Sequence, residues 1–266
     1  MDNRYPPHVS LIIPTIRQVD LVERCIKTIL KYTSYAGFEI IVVDNGSDHA
    51  IQTQLKRVIA KYNCRLILQN RNTGFAAAVN RGAMEAKGDF LVLINNDIEF
   101  FSADWLQRML QAVNPPNVGI VGARLLYPDG RIQHAGVRYV PALKSFDHIH
   151  RNKQANYPDA LLTKEALAVT GALMLVKKEL WRQLGGMSEE FFIAMEDVDF
   201  CLRARKKGWR VVYCGCAVAY HMEGKTRGTT PENKVRYWYL RELEGVAKFR
   251  KIWFDAGNTP LFETEV

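Results

Sequence analysis

The feature that most limits the fold is an alternation, repeated up to Phe101, of short apolar runs with longer amphipathic stretches. Val9–Pro14, Phe38–Asp44, Cys64–Gln69 and Phe90–Asn95 are nearly unbroken runs of strand length, rich in Val, Ile and Leu. Between them, 17–32, 51–62 and 74–86 carry helical spacing. Strands joined by helices pair in parallel, because the returning crossover needs that length of chain. Runs that are apolar on both sides of the pleat call for helices over both faces. The expected fold class is α/β, with a Rossmann-like, mostly parallel central sheet. The 266 residues suffice for one such domain with a small appendage.

Beyond Phe101 the pattern loosens. A helix over 104–113 and a short strand over 118–122 are followed by 127–139, which carries the turn Pro128–Asp129–Gly130. Residues 141–163 are polar, rich in His and Lys, and without period, so they read as a loop. It either folds over a ligand or simply lies on the surface. Further strands are expected at 168–176, 209–214 and 217–220, and a helix over 196–207 that stops at Gly208. A separate amphipathic helix spans 233–254.

The 36 basic and 28 acidic residues leave a net charge of +8, which favours phosphates, nucleic acid or anionic lipid. The bases are scattered and accompany no nucleic-acid motif, so nucleic acid is not an expected partner. Five cysteines without a CxxC pair suggest reduced thiols in the core. No apolar run approaches the roughly 18–20 residues of a membrane span. The start, MDNRYPPHVS, has no basic region leading into a hydrophobic stretch, so a cytoplasmic location is expected.

In open α/β sheets, ligands collect beyond the carboxyl ends of the strands. There this chain places Pro14–Thr15, Asp44–Asn45–Gly46–Ser47 and Asn95–Asn96–Asp97. One such cluster is explained by turn formation; three on one rim indicate a cleft. No G-x-G-x-x-G, P-loop or G-x-S-x-G signature is present. Asp97 is a hard oxygen ligand suited to Mg²⁺ or Mn²⁺. Farther on, Glu196, Asp197 and Asp199 open a helix whose later positions are Arg203, Arg205, Lys206 and Lys207. The helix dipole accounts for that charge order. It does not account for the apolar run Phe191–Met195 leading into the acids, where a partly desolvated carboxylate can act as a base. His221, at the end of a strand-like stretch, is either structural or a partner for metal or phosphate.

Taken in order, these segments resemble family 2 glycosyltransferases. The resemblance is carried by Val9–Thr15, Ile41–Ser47, Asn70–Phe75 with Asn80 and Gly82, Asn95–Asp97, Asp129–Gly136, Thr170–Ala172 and Glu196–Arg203. It is nearest to bacterial rhamnosyltransferase-like enzymes of surface polysaccharide assembly. The resemblance implies a GT-A fold and inverting transfer from a nucleoside-diphosphate sugar, of UDP or dTDP type, to a glycan or lipid-linked acceptor. It places Pro14, Thr15, Asp44, Arg71, Gly74, Asn95 and Asn96 near the nucleotide. Asp97 and His221 would hold the divalent metal, Mn²⁺ or Mg²⁺. Asp197 would be the general base, and Gly171, Ala172 and Glu196 would lie on the acceptor side. The family's D-x-D motif begins here with Asn95, leaving the single carboxylate Asp97, so a modest metal affinity is expected. The implied division is a catalytic domain over 1–228, with a nucleotide-sugar half 1–100 and an acceptor half 101–228, then a helical extension over 229–266.

Two rivals remain at this point. A sugar-nucleotide-making nucleotidyltransferase would need a Gly-rich basic loop after the first strand, and Pro14–Thr15–Ile16–Arg17 is not one. A non-catalytic nucleotide-sugar-binding or scaffolding module would share the motifs without turnover. In the last helix, Val235, Tyr239, Leu243, Val246, Phe249 and Trp253 form one apolar stripe with bases around it. That stripe fits packing on the catalytic domain, a homodimer contact rather than a monomer, or peripheral contact with the inner face of a membrane.

Overall fold

A computed structural model describes residues 7–224 and 236–255. β1 (Val9–Thr15), β2 (Phe38–Asp44), β3 (Arg65–Leu68) and β4 (Phe90–Ile94) lie in the order β4-β1-β2-β3, with each neighbouring pair parallel. The crossovers are α1 (Val19–Tyr32), α2 (His49–Lys61) and α3 (Phe75–Glu85). Val9, Leu11 and Ile13 of β1 pack with Ile26 of α1 and Leu55 of α2, while Ile12 packs with Val79 of α3 on the other face. Two hydrophobic cores therefore sandwich the sheet, and the α/β expectation holds.

The second half mixes strand directions. It comprises β5 (Ile98–Phe100), α4 (Trp105–Ala112), β6 (Val118–Leu126), β7 (Ile132–His134), β8 (Val137–Val140), β9 (Ser145–His148), β10 (Thr163–Glu165), β11 (Leu173–Lys177), α5 (Lys178–Leu184), α6 (Glu196–Lys206) and β12 (Arg210–His221). β11 runs antiparallel to both β4 and β6, β12 runs parallel to β6, and β10 closes that edge. The sheet is thus mixed but mostly parallel.

Several boundaries differ from the sequence expectation for physical reasons. The short strand at 118–122 continues to Leu126 because β12 pairs along it. The two segments 209–214 and 217–220 are one strand, bent at a register shift between Cys214 and Val218. Gly215 permits that bend, since a Cβ there would lie 2.5 Å from the Ala160 carbonyl oxygen. Only the second half of 168–176 is continuous strand; before it, Ala168 makes a single antiparallel bridge to Val137 and Val169 is buried by packing. The expected loop over 141–163 is largely ordered. β9 pairs antiparallel with β8, and Arg131 bridges to Gln154. Its strands are four residues or shorter, β9 half-buried and β10 mostly exposed, so no apolar alternation reveals them.

After β12 the described chain resumes with α7 (Arg236–Arg250), which runs into a π-helical turn, Lys251–Asp255. Val235 lies outside the described residues. The single stripe expected there is only half right: Phe249 and Trp253 are buried, but Tyr239 and Leu243 are 41% and 48% exposed. In its first half the packed face is rotated by one residue, roughly 100°, to Trp238 and Gly245. Gly245 sets this register, because a Cβ would fall 2.4 Å from the Ile193 carbonyl oxygen. The Trp253 indole N–H donates to Asp199 Oδ1 at 3.0 Å, and Arg203 Nε donates to Oδ2 at 2.7 Å. Of the three acids opening α6, Asp199 thus anchors the C-terminal helix.

Candidate functional site

A cleft opens at the carboxyl ends of β1 and β4, lined by Pro14, Thr15, Asn45, Gly74, Asn95, Asn96, Asp97 and His221. Its rim is built by side chains tying one strand end to the next. Asn96 Nδ2 donates to Thr15 Oγ1 at 2.8 Å. Asn45 donates from Nδ2 to the Gly74 carbonyl at 3.0 Å and accepts from the Thr73 N–H at Oδ1, also at 3.0 Å. This network holds 72–74 against the end of β2. Gly74 has φ +89° and ψ 174°, a region essentially closed to other residues, and a Cβ would lie 2.4 Å from the Phe192 carbonyl oxygen. That close approach brings the 191–195 segment over the cleft. Ile193 from this segment and Trp238 from α7 form its outer wall.

Asp44 and Arg71 lie elsewhere. Asp44 is fully buried, and its carboxylate accepts from the Ser47 hydroxyl and N–H and from Gln52 Nε2, so it braces the turn after β2. It does not line the cleft. Arg71 lines a neighbouring groove with Asn80 and Glu189.

Asp97 and His221 come together although they stand 124 positions apart in the chain. β5 pairs with the end of β12, setting Ile98 opposite His221, and Asp97 Oδ1 stands 3.1 Å from His221 Nε2. Gln133 Oε1, 2.7 Å from Nδ1, can only accept, so the proton of a neutral His221 sits on Nδ1. The Nε2 lone pair then faces a carboxylate oxygen, an arrangement that suits a shared cation. Asn95 Nδ2 lies 3.3 Å from the same Nε2. Among the described residues, no group of three or more His, Cys, Asp or Glu side chains is assembled for a metal. Asp97 and His221 therefore make a partial donor set, of the kind a diphosphate and water complete around Mg²⁺ or Mn²⁺.

A second pocket adjoins the first and shares Phe75, Asn95, Ile193 and His221 with it. Gly171, Ala172, Glu196 and Asp197 line it. The Asn95 N–H donates to the Ala172 carbonyl at 2.9 Å, tying this turn to the first cleft. Asp197 is held at both oxygens: Oδ2 accepts from the Gly171 N–H at 2.9 Å and Oδ1 from the Val198 N–H at 2.8 Å. Gly171 also fits between Phe75 and Asp197, where a Cβ would lie 3.2 Å from the ring and 3.4 Å from Asp197 Cβ. Immediately before the acids, Ala194 and Met195 have φ of 72° and 69°. Consecutive non-glycine residues in this region carry strain that the surroundings must offset. Here α6 begins on that turn, with the Asp199 N–H donating to the Met195 carbonyl.

The structure thus gathers Pro14, Thr15, Gly74, Asn95, Asn96, Asp97 and His221 on one cleft, and Gly171, Ala172, Glu196 and Asp197 on its neighbour. Sequence reasoning passed over Gln133 and Trp238 as site residues, and it gave Asn45 and His148 no role of their own, Asn45 within the rim cluster and His148 within the 141–163 loop that could fold over a ligand. Asn45 and Gln133 stand inside segments that carried the family resemblance. Trp238 was hidden by the assumed register of the last helix.

Comparison with known proteins identifies the family and the fold. The Glycosyl transferase family 2 model matches residues 10–181. The chain is 36% identical over 239 residues to protein y4gI of Sinorhizobium fredii, covering 87% of this chain and 26% of that protein. It is 29% identical to the O-antigen biosynthesis protein RfbC of Myxococcus xanthus, covering 88% of this chain and 19% of RfbC. The chain therefore spans only about a quarter or less of these two relatives. It is 28% identical to the N-acetylglucosaminyl-diphospho-decaprenol L-rhamnosyltransferase of Mycobacterium tuberculosis, covering 72% of this chain and 69% of that enzyme. In fold it is similar to the mannosyltransferase PcManGT of Pyrobaculum calidifontis, solved with GDP-Man and Mn²⁺. The TM-score is 0.68 at 19% identity, covering 97% of this chain and 68% of that one. It is also similar to GalNAc-T7, solved with UDP, GalNAc and Mn²⁺, with a TM-score of 0.73 at 15% identity over 94% of this chain and 49% of that one. With the family model matching well over half its length and its fold that of GT-A glycosyltransferases, the chain belongs to glycosyl transferase family 2.

Proposed function

We propose that the protein transfers a sugar, with inversion, from a UDP- or dTDP-linked donor to a hydroxyl of a glycan or lipid-linked acceptor in surface polysaccharide synthesis. The observation that carries this reading is the continuity of the two pockets. Asp97 with His221 stands on one side of Asn95, and the doubly anchored Asp197 stands on the other. Thr15, Asn45 and the Gly74 turn frame the donor, and Asn95 marks the boundary where donor and acceptor meet. A divalent cation held by Asp97 and His221 would offset the negative charge of the departing diphosphate.

Asp197 then receives the proton of the acceptor hydroxyl, which attacks the anomeric carbon from the face opposite the leaving nucleotide. The Gly171 and Val198 amides hold the carboxylate so that it approaches the hydroxyl in one orientation, the positioning that general base catalysis needs. Ile193 and Trp238 shield the reacting centre from water. The test is transfer from UDP- and dTDP-sugars to a short-chain N-acetylglucosaminyl diphospholipid, with NMR of the product. An anomeric configuration opposite to that of the donor is expected; a retained configuration would overturn the role of Asp197.

A lipid-linked acceptor also gives meaning to the outer face of α7. Tyr237, Tyr239, Leu240 and Leu243 are exposed there, and Arg236, Lys248, Arg250 and Lys251 are exposed on the same helix and its continuation. Aromatic and basic side chains together suit an anionic membrane interface. No helix among the described residues is long and apolar enough to cross a membrane. The protein is expected to float with anionic liposomes at low salt and to be released by high salt. If it never floats, this face does not meet lipid.

A further inference from the structure

Two histidines stand between the acceptor-side pocket and the core, and the proposed reaction uses neither. His134 is completely buried at the end of β7, while His148 ends β9 and lines the pocket beside Thr170 and Asp197. Their Nδ1 atoms are 3.0 Å apart, so a single proton lies between them. Two backbone amides decide which ring owns it. The Gly136 and Thr170 N–H groups both point at His134 Nε2, at 3.3 and 3.4 Å, so that atom must present its lone pair. A neutral His134 therefore carries its proton on Nδ1 and donates it to His148. His148 in turn must accept at Nδ1, and its own proton is confined to Nε2. That nitrogen has no hydrogen-bond partner among the described residues.

We propose that His148, fixed in this tautomer by His134, is a hydrogen-bond donor of the acceptor subsite. Its Nε2–H binds an uncharged oxygen, a hydroxyl or carbonyl, of the acceptor sugar beside the hydroxyl that Asp197 receives. The assignment rests on reading this pocket as the acceptor side of a glycosyltransferase. Its physical basis is a forced tautomer. Protonating His148 would put a second hydrogen between the two Nδ1 atoms, and His134 cannot shift its proton to Nε2 against two amide donors. The ring therefore stays neutral and offers one donor in one direction. A sugar oxygen matches such a donor, whereas a freely titrating imidazolium would also attract phosphate.

The charged groups facing His148 are Asp147 from its own strand, Arg151 from the turn that follows, Asp197 from α6 and Glu223 beyond β12. The three acids favour its protonated form, but burial and Arg151 oppose it, and His148 is held below the ordinary histidine range. Burial holds His134 well below that range too. His134 is a positioning residue here: its Nε2 also anchors the Thr170 amide, next to the Gly171 amide that holds Asp197.

The test has a structural and a kinetic arm. Long-range ¹H–¹⁵N correlation on the full-length, histidine-labelled protein should show His134 protonated only at Nδ1 and His148 only at Nε2. That pattern should persist at the ordinary histidine pKa near 6.5, where a free imidazole is half protonated. An imidazolium signature at His148 near pH 6.5, or a proton on its Nδ1, would overturn the proposal. In the kinetic arm, the acceptor is the same short-chain N-acetylglucosaminyl diphospholipid. His148→Gln, which keeps a donor near Nε2, should hold acceptor KM within about threefold. His148→Phe should raise it by about tenfold with donor KM unchanged. Equal acceptor KM for both variants would mean that His148 does not bind the acceptor. Should the wild type give no turnover, the transferase reading has failed, and the tautomer assignment is judged on the spectra alone.

Discussion

Asp197→Asn is expected to lower turnover by roughly 10²–10⁴-fold while leaving the donor bound, the ordinary worth of a general base. The geometry makes the substitution informative. Both carboxylate oxygens accept from backbone amides, at Gly171 and Val198, and the side chain lines the acceptor-side pocket. Asn keeps the shape and one acceptor oxygen but loses the basic site, and its NH₂ group must face one of the two amides. Some local loosening should follow, so nucleotide-dependent melting must be measured alongside turnover to show that the donor cleft survives. Glu196→Gln is the control, because Glu196 lines the same pocket from the preceding position. Near wild-type turnover in Asp197→Asn, with loss in Glu196→Gln, would move the base to Glu196.

Asp97→Ala carries the second large effect. It should reduce turnover by about 10²–10³-fold, as does removal of a group that stabilises developing charge. Nucleotide affinity should fall in Mn²⁺ but change little in EDTA, because the carboxylate acts on the diphosphate through the cation. An equal fall in both conditions would place Asp97 directly on the nucleotide or in a structural role. His221→Ala should show the same metal dependence more weakly. Gln133→Leu leaves Asp97 in place but frees the His221 tautomer, and should reproduce the His221→Ala pattern in smaller measure.

Much of the fold was legible because the first half is built from local signals. In β1, β2 and β4 each apolar run is its own strand, buried between helices that immediately precede or follow it. The second half was less legible because its pairing is distant and antiparallel. β12 needs β6, about ninety residues earlier, to define where it begins and bends, and β9 has only four half-buried residues. The site divides in the same way. Asp97 and Asp197 stood out because each follows a strand or opens a helix within a segment resembling the family, and His221 because it ends a strand-like stretch. Gln133 did not, and His148 stood only within the His-rich 141–163 loop, because their value lies in which atom they face: Gln133 fixes the His221 tautomer, and His148 accepts a hydrogen bond from His134. No spacing encodes that. Asp44 and Arg71 show the converse: they stand in the motifs, yet the structure turns them toward Ser47 and a side groove. The last helix was misread in register because Gly245, an apparently indifferent residue, decides which face can approach Ile193.

The central claim, a nucleoside-diphosphate-sugar cleft at the carboxyl ends of β1 and β4, is most directly tested by thermal melting with UDP, dTDP and GDP, each with and without Mn²⁺. A ligand that binds only the folded protein must raise the melting temperature, and at a hundredfold excess over Kd the stabilisation is about 2.7 kcal/mol. The account predicts a shift for UDP or dTDP that needs Mn²⁺ and disappears in Asp97→Ala. No shift with any nucleoside diphosphate, or an undiminished shift in Asp97→Ala, would contradict it.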